Sequence, residues 1–150
     1  MKFKRAIILF LASGFGSGYT PRIPGTAGSL AALLLYYLLP LGDLIWTLII
    51  GITFITGILL GNIMEVEFGK DPGLVVIDEF AGQWLTLLFL PIDYLMLFAG
   101  FMLFRIFDIL KPFPADRVQR IPGGLGIMLD DIIAAIYAQA VIRLGLFIFT

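Results

Sequence analysis

Asp130 and Asp131 stand side by side where the chain enters Ile132–Phe149, a run whose one charged residue is Arg143. In water such a pair is an ordinary preference for acid at a helix N-terminus. At the mouth of an apolar helix it calls for a cationic partner. Three further acids sit in similar settings: Asp78 and Glu79 before an apolar stretch, and Asp108 between Arg105 and Lys111. The 150-residue chain has neither cysteine nor histidine. Thiolate metal sites and cysteine or histidine nucleophiles are therefore excluded, and chemistry must run on carboxylates, hydroxyls and Lys/Arg, with or without a hard metal. Oxygen-only ligation selects Mg²⁺, Ca²⁺ or Mn²⁺ over zinc. The spacing agrees: Glu79, Gln83 and Thr86 form a polar stripe at i, i+4, i+7, and Asp131, Ala135 and Ala138 stack on one face. The small alanines would let a neighbouring helix approach closely.

A complementary half is available at residues 14–29, rich in glycine and proline, with Arg22 followed by Thr26-Ala27-Gly28-Ser29. Thr26 is a candidate N-cap for the apolar segment Leu30–Leu39, and backbone N–H groups at a helix start bind phosphate. A plain Gly/Pro turn with a Thr cap explains the same residues equally well. The Gly-Lys-Ser/Thr signature of a P-loop is absent.

The elements that must position these groups follow from composition. Sixty per cent of residues are hydrophobic, 14% are charged and mean hydropathy is +1.03, against about 45–50% apolar and about 25% charged in soluble domains. The expectation is an all-α, polytopic integral membrane bundle forming one domain over residues 1–150. Net charge of −1 gives no basic surface for nucleic acid. Lys2, Lys4 and Arg5 precede a short apolar run without a clean cleavage site, which reads as an interfacial helix rather than a signal peptide.

Pro40-Leu41-Gly42-Asp43 and Pro91-Ile92-Asp93 are turn signals inside apolar stretches. A helix running unbroken over residues 27–61 would be about 52 Å long at 1.5 Å per residue, beyond the roughly 30 Å hydrocarbon core. Each stretch therefore folds into a hairpin: Leu30–Leu39 with Leu44–Gly61, then Leu74–Leu90 with Tyr94–Leu110. Residues 62–77 and 111–127 read as polar loops, and the final span runs from about Leu129 to Phe149. All basic residues except Arg143 fall in or beside the N-terminus and the long loops, while the short turns hold only Asp43 and Asp93. The positive-inside rule makes the long loops cytoplasmic and the C-terminus external, with Arg143 snorkelling outward. Four to five membrane helices result.

That topology gathers Asp78, Glu79, Asp108, Asp130 and Asp131 at one cytoplasmic depth, where mutual repulsion must be offset. Two plain explanations compete with a metal: helix-end acids facing water, and pairing with Arg105 or Lys111, Arg105 and Asp108 being three residues apart. The sharper reading is a divalent metal facing an anion pocket at a membrane surface, which suggests chemistry on a phospholipid headgroup.

Four blocks of the chain resemble bacterial phosphatidylglycerophosphatase A, a Mg²⁺-dependent lipid phosphatase family. They are Thr20-Pro21-Arg22-Ile23-Pro24-Gly25-Thr26-Ala27-Gly28-Ser29; Asp71-Pro72-Gly73 with Val76-Ile77-Asp78-Glu79 and Gly82-Gln83-Trp84; Phe104-Arg105-Ile106-Phe107-Asp108-Ile109-Leu110-Lys111-Pro112-Phe113-Pro114; and Gly123-Gly124-Leu125-Gly126-Ile127-Met128-Leu129-Asp130-Asp131 through Ala135-Ile136-Tyr137-Ala138. They run from residue 20 to residue 138 in the family's order. The resemblance implies Mg²⁺-dependent hydrolysis of phosphatidylglycerophosphate to phosphatidylglycerol and phosphate, in the bacterial inner membrane with the active site facing the cytoplasm. Roles are then expectations from residue chemistry. Glu79, Asp130 and Asp131 lead as metal ligands, with Asp108 and Asp78 next. Catalytic work falls to Asp78, Glu79 and Asp131. Arg22, Thr26 and Lys111 would bind phosphate, with Gly28, Ser29 and Arg105 completing the substrate set. Attack by metal-activated water with a carboxylate base is the expected route. A phosphoalcohol transferase is disfavoured because its D-x-x-D-G type signature is missing. The alternative of another class is a non-catalytic membrane protein or transporter subunit with a structural cation site; acids clustered at one surface disfavour an ion relay.

Overall fold

The computed structural model describes residues 2–149; Met1 and Thr150, and with them the expected external C-terminus, lie outside the described residues. Among these residues the chain is helical and contains no strand. The helices are α1 (Lys2–Ala12), α2 (Pro24–Leu38), α3 (Asp43–Phe68), α4 (Ile77–Leu87), α5 (Tyr94–Leu110), the one-turn α6 (Ala115–Val118) and α7 (Gly124–Phe149).

α3 and α7 have 26 residues each and contain 18-residue windows of mean hydropathy 2.3 and 2.1, long and apolar enough to cross a membrane. At 1.5 Å per residue each is about 39 Å long, more than the roughly 30 Å hydrocarbon core. α5 has 17 residues, α2 has 15 and α4 has 11. α4 is buried on nearly every side, held by α2, α3, α5 and α7, so its polar positions face protein rather than bilayer.

Local chemistry fixes several helix ends. Pro24 occupies the first turn of α2, where its fixed φ suits a helix start and its missing N–H is no loss. The cap position is therefore Ile23, not Thr26, which lies inside the first turn. The Asp93 side chain accepts the Met96 N–H at 2.8 Å and starts α5. Gly69, at φ 90°, ends α3.

The chain turns back at both expected positions, α4 packing on α5 while α2 and α3 meet through Tyr36 and Trp46 near their turn, and the two turns meet at the end of the molecule opposite the acids. Tyr36 donates its hydroxyl hydrogen to the Leu87 carbonyl at 3.3 Å, and the Tyr37 and Tyr94 hydroxyls are 3.4 Å apart. Two boundaries differ from expectation. α3 continues through Asn62, Glu65 and Glu67 instead of ending at Gly61. α7 begins at Gly124, so Asp130 and Asp131 lie in its second turn rather than at its start. One interaction explains both shifts: Asn62 Oδ1 accepts the Gly124 N–H at 2.8 Å, and Glu65 Oε2 accepts the Gly123 N–H. Polar residues late in α3 thus satisfy amides that the start of α7 would otherwise leave bare.

The same seam is tight. A Cβ on Gly61 would lie 2.6 Å from Gly124 Cα, and one on Gly124 would collide with the Ile58 carbonyl. Glycine is required here for the backbones to approach. Packing elsewhere relies on aromatics: Trp46 lies between Tyr36 and Trp84, with ring centroids 4.6 and 5.2 Å away, and Trp84 donates its indole N–H to the Ala32 carbonyl at 2.8 Å.

Candidate functional site

Three helices deliver the acids to one place. The first turn of α4 carries Asp78 and Glu79, the last turn of α5 carries Asp108 and the second turn of α7 carries Asp130 and Asp131. All five are buried, Asp131 to 2% exposure. Asp78, Asp130 and Asp131 each place a carboxylate oxygen within 4.8 Å of the others. They border a cavity of about 290 Å³ whose wall also includes Glu79, Asp108 and Asp71.

Two cations share that wall. Arg105 pairs with Asp108 one turn along α5, lies 3.8 Å from Glu79 Oε1 and donates to Ser29 Oγ at 3.5 Å. Lys111 sits just past α5 in a left-handed conformation, φ 46°, that turns its ammonium onto Asp130. Burial works against the charge on Lys111. The hydrogen bond and charge of Asp130, with Asp108 and Asp131 behind it, more than offset that and hold its pKa above the ordinary lysine value. Six wall carboxylates thus face two cations. Among the described residues, Asp78 Oδ1, Glu79 Oε2 and Asp131 Oδ2 are buried with no hydrogen-bond partner.

Buried carboxylate oxygens without donors are costly. Such oxygens on Asp78 and Asp131, with Asp130 beside them and an excess of acid in the cavity, fit a divalent cation: the donors are all oxygen, the spacing of these three aspartates suits one ion, and the rest of the cavity leaves room for waters and substrate oxygens. Asp78, Asp130 and Asp131 would hold it.

Against this geometry, residues 10–146 match the family model described as phosphatidylglycerophosphatase A. The chain belongs to the phosphatidylglycerophosphatase A family. Proteins of that name from Escherichia coli and Haemophilus influenzae are each 41% identical to it, over 88% and 90% of this chain and 79% and 86% of theirs. A Bacteroides thetaiotaomicron protein assigned provisionally as a phosphatidylinositol-3-phosphatase is also 41% identical, over 97% of both chains. No solved structure matches the chain. Family membership makes the chain a lipid phosphatase, a hydrolase of phospholipid synthesis, and its two long apolar helices accord with association with a membrane.

The residues singled out from sequence divide into two groups. Asp78, Glu79, Arg105, Asp108, Lys111, Asp130 and Asp131 all line the acid cavity. Ser29 is buried beside it, bonded to Gly25 O and to Arg105. Arg22, Thr26 and Gly28 do not line it. Arg22 is exposed, at φ 68°. Gly28 serves packing, since a Cβ there would lie 2.8 Å from Val76 Cβ.

Two wall residues carried no functional signal of their own. Asp71, exposed at φ 47°, reads in sequence as loop polarity. Gly25 reads as turn chemistry, yet a Cβ there would collide with Glu79 Oε1 and lie 3.2 Å from both terminal nitrogens of Arg105. Both fall inside blocks shared with the family, which is the signal that could have raised them.

Proposed function

We propose that this chain hydrolyses the terminal phosphate monoester of phosphatidylglycerophosphate, with Mg²⁺ as cofactor, at the cytoplasmic face of the bacterial inner membrane. The reading is carried by one observation: three buried, unpartnered carboxylate oxygens share a cavity with Arg105 and Lys111 at the helix ends. Asp78, Asp130 and Asp131 would hold the ion, which would supply positive charge beside the phosphoryl oxygens and make a bound water more acidic. Lys111 and Arg105 draw the dianionic headgroup in and orient it. Glu79, held by Arg105 and free at its other oxygen, takes the proton from the attacking water. Water's oxygen bonds to phosphorus as the ester P–O bond breaks, and the departing alkoxide takes the proton that Glu79 accepted, becoming the glycerol hydroxyl and returning Glu79 to its carboxylate. Asp108 keeps Arg105 in place.

The surrounding architecture is part of the same proposal: four to five membrane helices in one domain over residues 1–150, and α1 lying at the interface. α1 supports this by its exposed Lys2, Phe3 and Lys4 and buried Ala12. A second reading comes from the Bacteroides thetaiotaomicron relative, whose named substrate is also a phosphate monoester on a phospholipid headgroup.

Phosphate release from the purified protein separates these readings. The expected result is Mg²⁺-dependent release from phosphatidylglycerophosphate, abolished by chelator, and slower release from phosphatidylinositol 3-phosphate. Faster turnover of the inositol lipid would transfer the assignment to the second reading, and metal-independent release or none would end both.

A further inference from the structure

The helices around the acid cavity do not pack on one another equally. α5 packs closely on α7, and α2 on α4, whereas α2 and α5 meet over a smaller contact. Along that seam lies an apolar groove of about 420 Å³, bordered by Leu30, Leu34 and Tyr37 of α2 and by Tyr94, Phe98 and Phe101 of α5.

Groove and cavity are joined by a single stripe of α5. On α5, Tyr94, Phe98, Phe101, Arg105 and Ile109 recur at i, i+4, i+7, i+11 and i+15, which keeps them on one face. The first three border the groove and the last two the cavity. On the antiparallel α2, Pro24 and Gly25 border the cavity, and Leu30 to Tyr37 the groove. The Arg105–Ser29 contact bridges the two helices where cavity gives way to groove. From Phe101 to Tyr94 is 7 residues, about 10 Å along a helix. The groove begins one turn beyond Arg105 and ends at the Tyr37–Tyr94 pair.

We propose that the α2–α5 groove seats one acyl chain of the lipid substrate whose phosphate occupies the acid cavity. This rests on the lipid-phosphatase reading above and names the subsite that distinguishes a membrane lipid from its free headgroup. With the chain in the groove, the headgroup enters from the bilayer side past Ile109 and Pro24. Arg105 then stands at the junction of apolar and ionic compartments.

Leu34→Trp, at an exposed position on the groove, would fill it without disturbing the core. Leu95→Trp places the same bulk on the separate groove between α5 and α7, also at an exposed leucine. The assay compares dipalmitoyl and dioctanoyl phosphatidylglycerophosphate in detergent with Mg²⁺. Leu34→Trp should lose about tenfold in kcat/KM on the long-chain substrate, keep the short-chain rate within about twofold and leave kcat largely intact. Leu95→Trp should match the unaltered protein on both. Equal loss on both substrates, no loss on either, or the same discrimination by Leu95→Trp would overturn the groove assignment. Failure of the unaltered protein to turn over either substrate would instead overturn the proposed activity. Binding is read separately with a diazirine-tailed phosphate-monoester lipid. It should label peptides of α2 and α5 around the groove more strongly than a diazirine-tailed phosphatidylcholine does, and equal labelling overturns the groove whatever the turnover.

Discussion

Asp131 has one carboxylate oxygen buried and without a partner, next to Asp130 and within reach of Asp78. Like charges so close, away from water, destabilise the fold unless a cation or protons intervene. Asp131→Asn removes one charge and keeps the shape, so the metal-free protein should become more stable, by about 3 °C in melting temperature. Its response to Mg²⁺ should shrink, because a ligand that binds only the folded state stabilises as its affinity allows. Melting curves with Mg²⁺ and with chelator test this. A variant that melts lower in chelator and keeps the full Mg²⁺ shift excludes Asp131 as a ligand. Glu79→Gln should leave the melting response to Mg²⁺ unchanged and lower phosphate release by about a hundredfold or more. Near-normal turnover would remove Glu79 from the role of base. The acids were legible in the sequence because apolar surroundings make them conspicuous. Gly25 and Asp71 were not, because their part in the cavity wall depends on what the fold brings beside them, Glu79 and Arg105 in the case of Gly25.

At the scale of elements, the decisive contact is between the end of α3 and the beginning of α7. Asn62 and Glu65 accept the Gly124 and Gly123 N–H groups, and the glycines let the two backbones meet. This junction sets the rotation and height of α7, hence where Asp130 and Asp131 point. Gly124→Ala should push α7 away from Ile58, costing about 1–3 kcal/mol as overpacking usually does, and should reduce activity even where the protein stays folded. A fully active, equally stable alanine variant would show that α7 is positioned otherwise. Asn62→Ala should reduce stability by about 1 kcal/mol through the lost acceptor. An unchanged unfolding midpoint would show that the amide is satisfied without it. This junction explains why the helices were legible and two of their ends were not. Hydropathy locates apolar runs, so both hairpins and the final helix could be read directly. Asn62, Glu65 and Glu67 looked like loop because nothing local shows that two of them face amides of α7 and the third pairs with Arg5. Thr26 looked like a cap for the same reason, although Pro24 two residues earlier had already started the helix.

For the molecule as a whole, the acid cavity and the two short turns lie at opposite ends of the bundle. The cavity gathers the start of α4 and the end of α5, while the α2–α3 and α4–α5 turns meet through Tyr36, Tyr37, Leu87 and Tyr94. If the positive-inside rule orients the bundle, the cavity end faces the cytoplasm and the turns face outward. The sequence has no cysteine, so single cysteines report sidedness without background. Val66 near the end of α3 is 90% exposed, and Ile92 in the α4–α5 turn is 50% exposed. In intact spheroplasts a membrane-impermeant maleimide should label Ile92→Cys at once and Val66→Cys only after permeabilisation. The reverse pattern would place the acid cavity on the outer face. Labelling of both in intact spheroplasts would mean that the bundle does not separate its ends across the bilayer, and the proposed multi-pass topology would fall with it. The choice of face matters for chemistry as well as topology. A site opening on the cytoplasm meets the Mg²⁺ and the newly made phosphomonoester lipid on the same side, so a labelled Ile92→Cys would align the charge of the cavity, the ion it fits and the leaflet that reaches the α2–α5 groove.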